Sequence, residues 1–225
     1  MRLNSLIALV FSLLLSGCIN TVGTIELKGK VVDESTKAAI PGLSVMVEAL
    51  DYSNDKSVKI YVGDFITDSS GCFAYTLKKV KNVSLYNFSI VGNRDYNPSE
   101  QLLGIYDLHS YGKFLSFEVK RIVDFTLKIN RESKIPVCDT LTVSWKTDGV
   151  DGKTMYPFTI ENYRINAENG LRWIGGDIKS AVKTKVYADK YTIVHWELFR
   201  NGQHKDFLDT IFCKRDAINS VYLKY

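Results

Sequence analysis

Histidines and cysteines carry most of the reactive chemistry in this 225-residue chain. His109, His195 and His204 lie far apart in sequence, and none stands in a metal-ligand spacing such as H-x-x-x-H. His195 reads as a strand residue and His204 as part of a hairpin. No G-x-S-x-G, P-loop or H-E-x-x-H pattern occurs. The expectation is therefore a chain that is not an enzyme and uses no cofactor and no metal. Asp148-Gly149-Val150-Asp151-Gly152 has fewer oxygen ligands than a calcium loop supplies and reads as a turn. Among the thiols, Cys72 has no partner in its own half of the chain. Cys138 and Cys213 share the other half, where two readings stand. A disulfide would close a loop of about 75 residues and contribute roughly 4 kcal/mol in the chain-entropy model. Otherwise both pack as buried thiols, which behave as small apolar groups.

Aromatic residues point to binding rather than turnover. From Asn93 to Tyr111 the chain interleaves Tyr96, Tyr106 and Tyr111 with Arg94, Asp95 and Asn97. Flat aromatic faces beside planar polar side chains suit a sugar, and binding loops sit on rigid scaffolds. The competing reading has these tyrosines covering a sheet edge. Trp173, flanked by Arg172 and followed by Gly175-Gly176, joins the ligand-binding candidates, whereas Trp145 and Trp196 lie on strongly apolar strands and read as core.

The elements that must position these groups are strands. Leu43–Val47, Leu141–Trp145 and Ile25–Val31 alternate apolar with polar residues. Phe73–Leu77, Ser84–Ile90 and Val119–Ile129 are rich in branched and aromatic residues. Asn201-Gly202, after an apolar run, signals a hairpin because both turn positions tolerate positive φ. One helix is predicted over Glu100–Leu108, capped by Ser99, with Gly104 weakening it. The polar stretch Asn130–Lys134, closed by Pro136, divides the chain into two parts of about a hundred residues, the usual size of one sandwich. The predicted organisation is all-β, with β-sandwiches over 24–130 and 135–225 joined by a linker at 131–134. The second is immunoglobulin- or fibronectin type III-like in style. Usage of 45% hydrophobic and 24% charged residues excludes extended disorder. A net charge of +4, evenly spread, argues against a nucleic-acid partner.

Two stretches resemble known families. After Met1-Arg2 comes an apolar run from Leu6 to Leu15 and then Ser16-Gly17-Cys18. The run is too short to span a bilayer permanently, and Leu15-Ser16-Gly17-Cys18 resembles the lipobox of bacterial lipoproteins. That resemblance implies a signal peptide over 1–17, acylation of Cys18, a short tether over 18–23 and attachment to the outer membrane by lipid, with the membrane face left open. Several acyl chains anchor far more firmly than one. In the body of the chain, Gly29-Lys30-Val31-Val32-Asp33, Pro41-Gly42-Leu43 and Thr67-Asp68-Ser69-Ser70-Gly71-Cys72-Phe73 resemble the carboxypeptidase regulatory-like domain, a transthyretin-like sandwich. Such scaffolds say little about activity, which lives in sites grafted onto them.

The expectation from these features is a non-enzymatic outer-membrane lipoprotein. It would serve glycan or nutrient acquisition, with sandwich loops contacting glycan or an envelope protein. The alternative is a fimbria-like structural or adhesion protein, because such pilins are also lipoprotein precursors built from two transthyretin-like sandwiches. Asp139-Thr140-Leu141 and Asp209-Thr210-Ile211 resemble O-glycosylation acceptors of Bacteroidetes envelope proteins, and read equally as strand starts.

Overall fold

A computed structural model describes residues 21–54, 56–110, 114–132, 139–152, 158–160, 165–167, 170–175 and 178–225. The signal segment and Cys18 lie outside the described residues, as do Tyr111 and Cys138. No helix among the described residues is long and apolar enough to cross a membrane. The chain is all-β and forms two compact units. The first holds residues up to Val32, Ala38–Val91 and Pro98–Glu118, and the second Asp33–Lys37, Gly92–Asn97 and Val119–Tyr225.

The first unit contains β1 (Thr21–Asp33), β2 (Ser44–Asn54), β3 (Lys56–Ile66), β4 (Cys72–Val80), β5 (Leu85–Ile90), β6 (Ser99–Gly104), α1 (Ile105–Ser110) and β7 (Phe114–Val119). They form a three-stranded sheet ordered β4-β1-β7 and a four-stranded sheet ordered β3-β2-β5-β6. The alternation read at Leu43–Val47 is real: Leu43, Val45 and Val47 are buried, and Ser44 and Met46 between them are not. A run of aromatic rings in contact, two pairs stacked and one tilted, spans both sheets. Phe65 lies 4.5 Å from Phe73, Phe73 lies 5.6 Å from Phe117, and Phe117 lies 5.3 Å from Phe88. This stack explains Gly29, because a Cβ there would meet the Phe73 ring at 2.6 Å and a backbone oxygen at 2.3 Å. Thr67 ties the strand ends: its hydroxyl accepts from the Leu43 amide and donates to the Ile40 carbonyl, each at 2.9 Å. Asp68 holds the turn at Gly71 by accepting from the amides of Ser70 (2.8 Å) and Cys72 (2.9 Å).

The predicted helix over Glu100–Leu108 is corrected. Ser99–Gly104 pairs in register with β5, from Ile90↔Ser99 to Leu85↔Gly104, and only Ile105–Ser110 is helical. The available β5 edge outweighs local helix propensity. The helix starts where the Asp107 carboxylate reaches back to the Gly104 amide at 3.2 Å, the return half of a capping box.

The second unit is built from β8 (Ile122–Asn130), β9 (Asp139–Thr147), β10 (Val150–Asp151), β11 (Thr159–Ile160), β12 (Ile165–Ala167), β13 (Gly170–Gly175), β14 (Lys179–Tyr187), β15 (Lys190–Arg200), β16 (Gln203–Cys213) and β17 (Asn219–Lys224). One sheet runs β12-β13-β9-β15-β16, with β10 also on β9, and the other runs β11-β14-β8-β17. Between them lies a core that includes Trp145, Trp173, Phe125, Leu127, Val143 and Val194. The expected boundary at residue 130 moves. Sequence reading gave Val119–Ile129 to the first domain, but β8 pairs antiparallel with β14 and parallel with β17, so the division falls between Glu118 and Val119. Its residues bury one face against the tryptophans, which is reason enough for it to join them. The segments 33–37 and 92–97 also belong here: Glu34 N–H donates to Val119 O at 2.9 Å and Ile122 N–H to Asp95 O at 2.8 Å.

Two ion clusters pin this unit. Asp139, wholly buried, receives two hydrogen bonds from Arg200 at 2.7 and 2.8 Å and lies 2.9 Å from the Arg131 guanidinium. Arg215 pairs with Asp189 and, at 3.4 Å, with buried Asp33.

Candidate functional site

The structure divides the loop candidates between the two units. Arg94 is exposed and Tyr96 half-buried on the 92–97 segment of the second unit. That segment is folded tightly by Asn93, whose side-chain oxygen accepts from the amides of Asp95 (2.8 Å) and Tyr96 (3.0 Å), while Tyr96 bridges Arg121. Burial, then the nearby Asp33 charge, raises the Tyr96 phenol above its ordinary pKa. Tyr106 stands on α1 of the first unit, 82% exposed. Tyr111 lies outside the described residues. Trp173 is corrected: at 1% exposure it is core, packed in the sheet beside Leu141, and offers no surface to a ligand. Cys213 is a buried free thiol whose Sγ lies 3.4 Å from the Thr192 hydroxyl, and burial raises its pKa; Cys138, its partner in one of the two readings, lies outside the described residues. The acceptor-like aspartates have structural work. Asp139 sits in the arginine cluster, and Asp209 accepts from Trp196 Nε1 at 2.8 Å.

Chemistry gathers instead on the outward sheet faces of the second unit. On β15 the buried side chains are Thr192, Val194, Trp196 and Leu198, which leaves Tyr191, Ile193, His195, Glu197 and Phe199 outward. Register across the hairpin sets His195 opposite Leu208, Glu197 opposite Asp206 and Phe199 opposite His204, with Tyr191 opposite Phe212. Five large apolar side chains therefore share one solvent-facing surface: Tyr191, Ile193, Phe199, Leu208 and Phe212. Tyr191 is 62% and Leu208 69% exposed. Tyr191 and Phe212 meet edge to face at 5.2 Å. The edge strand β16 is eleven residues long, and among the described residues nothing pairs with its outer side. Phe207, on its inner face, stacks on Trp196 at 3.9 Å.

Amid this apolar surface lies a polar cluster. The His195 imidazole Nε2 contacts the Asp206 carboxylate and lies 4.0 Å from Glu197, and His204 Nε2 lies 3.7 Å from Glu197. Sequence reasoning missed it by treating the histidines as distant. The signal was present in the Asn201-Gly202 turn, whose positive φ values of 51° and 73° close a two-residue hairpin. That turn folds each position of β15 onto its partner in β16.

The other outward face, on β14-β8-β17, has a different chemistry. Lys128, Lys179, Lys183, Lys185 and Lys224 project there, with Asp124 paired to Lys185 at 3.1 Å and Glu132 to Lys224 at 3.1 Å. The Lys128 ammonium donates to Tyr222 OH at 2.6 Å and lies 4.6 Å from the ring centre. Two open grooves cross this surface. One, of about 610 Å³, runs past Asn93, Thr126 and Lys183, and the other, of about 570 Å³, past Lys128, Lys179 and Tyr222.

No family model and no curated protein matches this chain. Among solved structures it is similar over 90% of its length to the Bacillus anthracis TIE protein, at 14% identity and a TM-score of 0.33, and spans 34% of that chain. It is similar over 90% of its length to the shaft pilin SpaA of Lactobacillus rhamnosus GG, at 9% identity and a TM-score of 0.33, covering 97% of that chain. For the full-length major pilin SpaD of Corynebacterium diphtheriae the figures are 8% identity, a TM-score of 0.35, 83% of this chain and 64% of that one.

Proposed function

We propose that this chain is a non-enzymatic structural contact protein of the cell envelope, tethered through Cys18, which self-associates through the outer face and open edge of β16. The observation that carries the reading is the row of five exposed large apolar side chains beside an eleven-residue edge strand. Large exposed apolar side chains gathered on one sheet face mark a protein contact, and an open edge can take another strand by backbone hydrogen bonding. A second copy suits the site. Two antiparallel β16 strands centred on Leu208 would set Asp206 opposite Thr210 and His204 opposite Phe212, so no like charges face each other. Light scattering on the untagged full chain carrying Cys18→Ser, which removes the acylable thiol, should show a concentration-dependent dimer or larger species. Leu208→Lys with Phe212→Lys should return it to monomer without unfolding it. A parent chain that stays monomeric at high concentration would sink the reading.

The lysine face favours a second reading, contact with an acidic glycan. Five lysines and an exposed tyrosine along open grooves suit uronate or sulfate groups on an extended chain.

A further inference from the structure

We propose that His195, Glu197, His204 and Asp206 form a binding site for a divalent first-row transition cation, of which Zn²⁺ is the probe. His195, Glu197 and Asp206 each offer one ligand atom, and these atoms lie within 4.8 Å of one another. His204 Nε2 lies outside that group of three but 3.7 Å from the second oxygen of Glu197, from where it can supply a fourth ligand. A tetrahedral zinc ion with bonds near 2.1 Å holds its ligand atoms about 3.4 Å apart. His195 and Asp206 now touch directly, and His195 and Glu197 stand 4.0 Å apart. For His195, Glu197 and Asp206, small rotations of side chains on the solvent side therefore suffice to admit the ion.

The donor set has the right chemistry. Two imidazoles and two carboxylates are borderline and hard ligands that suit Zn²⁺, Cu²⁺ or Ni²⁺. With the imidazoles neutral the group carries two negative charges, matching a dication. The scaffold is rigid where it must be. Two ligands come from each strand of one hairpin, β15 is paired on both sides, and a two-residue turn fixes the register. All four donors belong to a single chain, so the site does not depend on the self-association proposed above.

The test is calorimetric titration of ZnCl₂ into the untagged full chain carrying Cys18→Ser, in a buffer that does not chelate. One equivalent should bind. His195→Ala, His204→Ala and Asp206→Ala should each weaken binding at least about tenfold, while Leu208→Ala on the same face should leave it unchanged. Cu²⁺ bound at the site should show imidazole nitrogen couplings in its paramagnetic resonance spectrum, reduced in either histidine variant. Because these positions face solvent the variants should keep the parent's melting temperature, and a variant that loses it is replaced by His195→Gln or His204→Gln. Absence of binding, a spectrum without nitrogen couplings, or full binding that survives His195→Ala would overturn the proposal.

Discussion

The two outward faces of the second unit rest on one core and yet have opposite surface chemistry. Across β15 and β16 the exposed row is aromatic and aliphatic, broken by two histidines and two carboxylates. Across β14, β8 and β17 it is lysine with one tyrosine, with Asp124 paired to Lys185 and Glu132 to Lys224. The inward rows are alike in being apolar, as both must be to bury the same tryptophans. Strand alternation lets each sheet satisfy the core with every second residue and leaves the others unconstrained by folding. Specialisation on this protein is thus written in the residues that the fold does not need.

The comparison breaks most violently where both faces share support. Asp139 starts β9 and holds Arg131, which follows β8, and Arg200, which ends β15. Asp139→Ala leaves two guanidinium groups without their counter-charge and should cost about 3–5 kcal/mol. All three tryptophans lie in this unit, so urea unfolding followed by tryptophan fluorescence reads the loss directly. A loss under about 1 kcal/mol would mean the cluster is not the shared support.

A smaller effect separates the faces. Lys128→Glu together with Lys183→Glu should weaken binding to an acidic polysaccharide at least about tenfold at low salt and flatten its salt dependence. Self-association through β16 should be unchanged. If both properties fall together, the two surfaces are not independent.

Acid gives the smallest effect. Burial acts to raise the Asp33 pKa, but hydrogen bonds from Thr36 and the charge of Arg215 more than offset it and hold the carboxyl below its ordinary value. The stabilisation is present above the unfolded value near 3.9 and is lost as pH falls through the lower folded value. Melting curves should therefore be insensitive to Asp33→Asn substitution in their pH slope above about 5, and differ from the parent's in slope only below about 4. Any change in association above that range then originates at the surface.

Much of this architecture was legible in the chain. Alternation announced β2 and β9, and Asn201-Gly202 announced the hairpin. Three features escaped. Strand β8 lay beyond reach because its neighbours are far away in sequence, and local pattern cannot say which core a strand will join. Residues 100–104 read as helix because nothing local reveals a free β5 edge. The His195 cluster escaped because its members are joined by register, a property of two strands taken together, whereas spacing along one strand shows only His-x-Glu and His-x-Asp.

Strand β8 has one more consequence. Its companion β14 is antiparallel and β17 parallel, and the contact of Lys128 with Tyr222 joins residues 94 positions apart. The β15–β16 hairpin can close in about 1–10 microseconds, but β8 must wait for chain segments that diffuse back from a long loop. Renaturation of this unit should therefore proceed in two unequal stages, a fast local zippering and a slow capture, and the unpaired β8 is what stands exposed to misassembly in between.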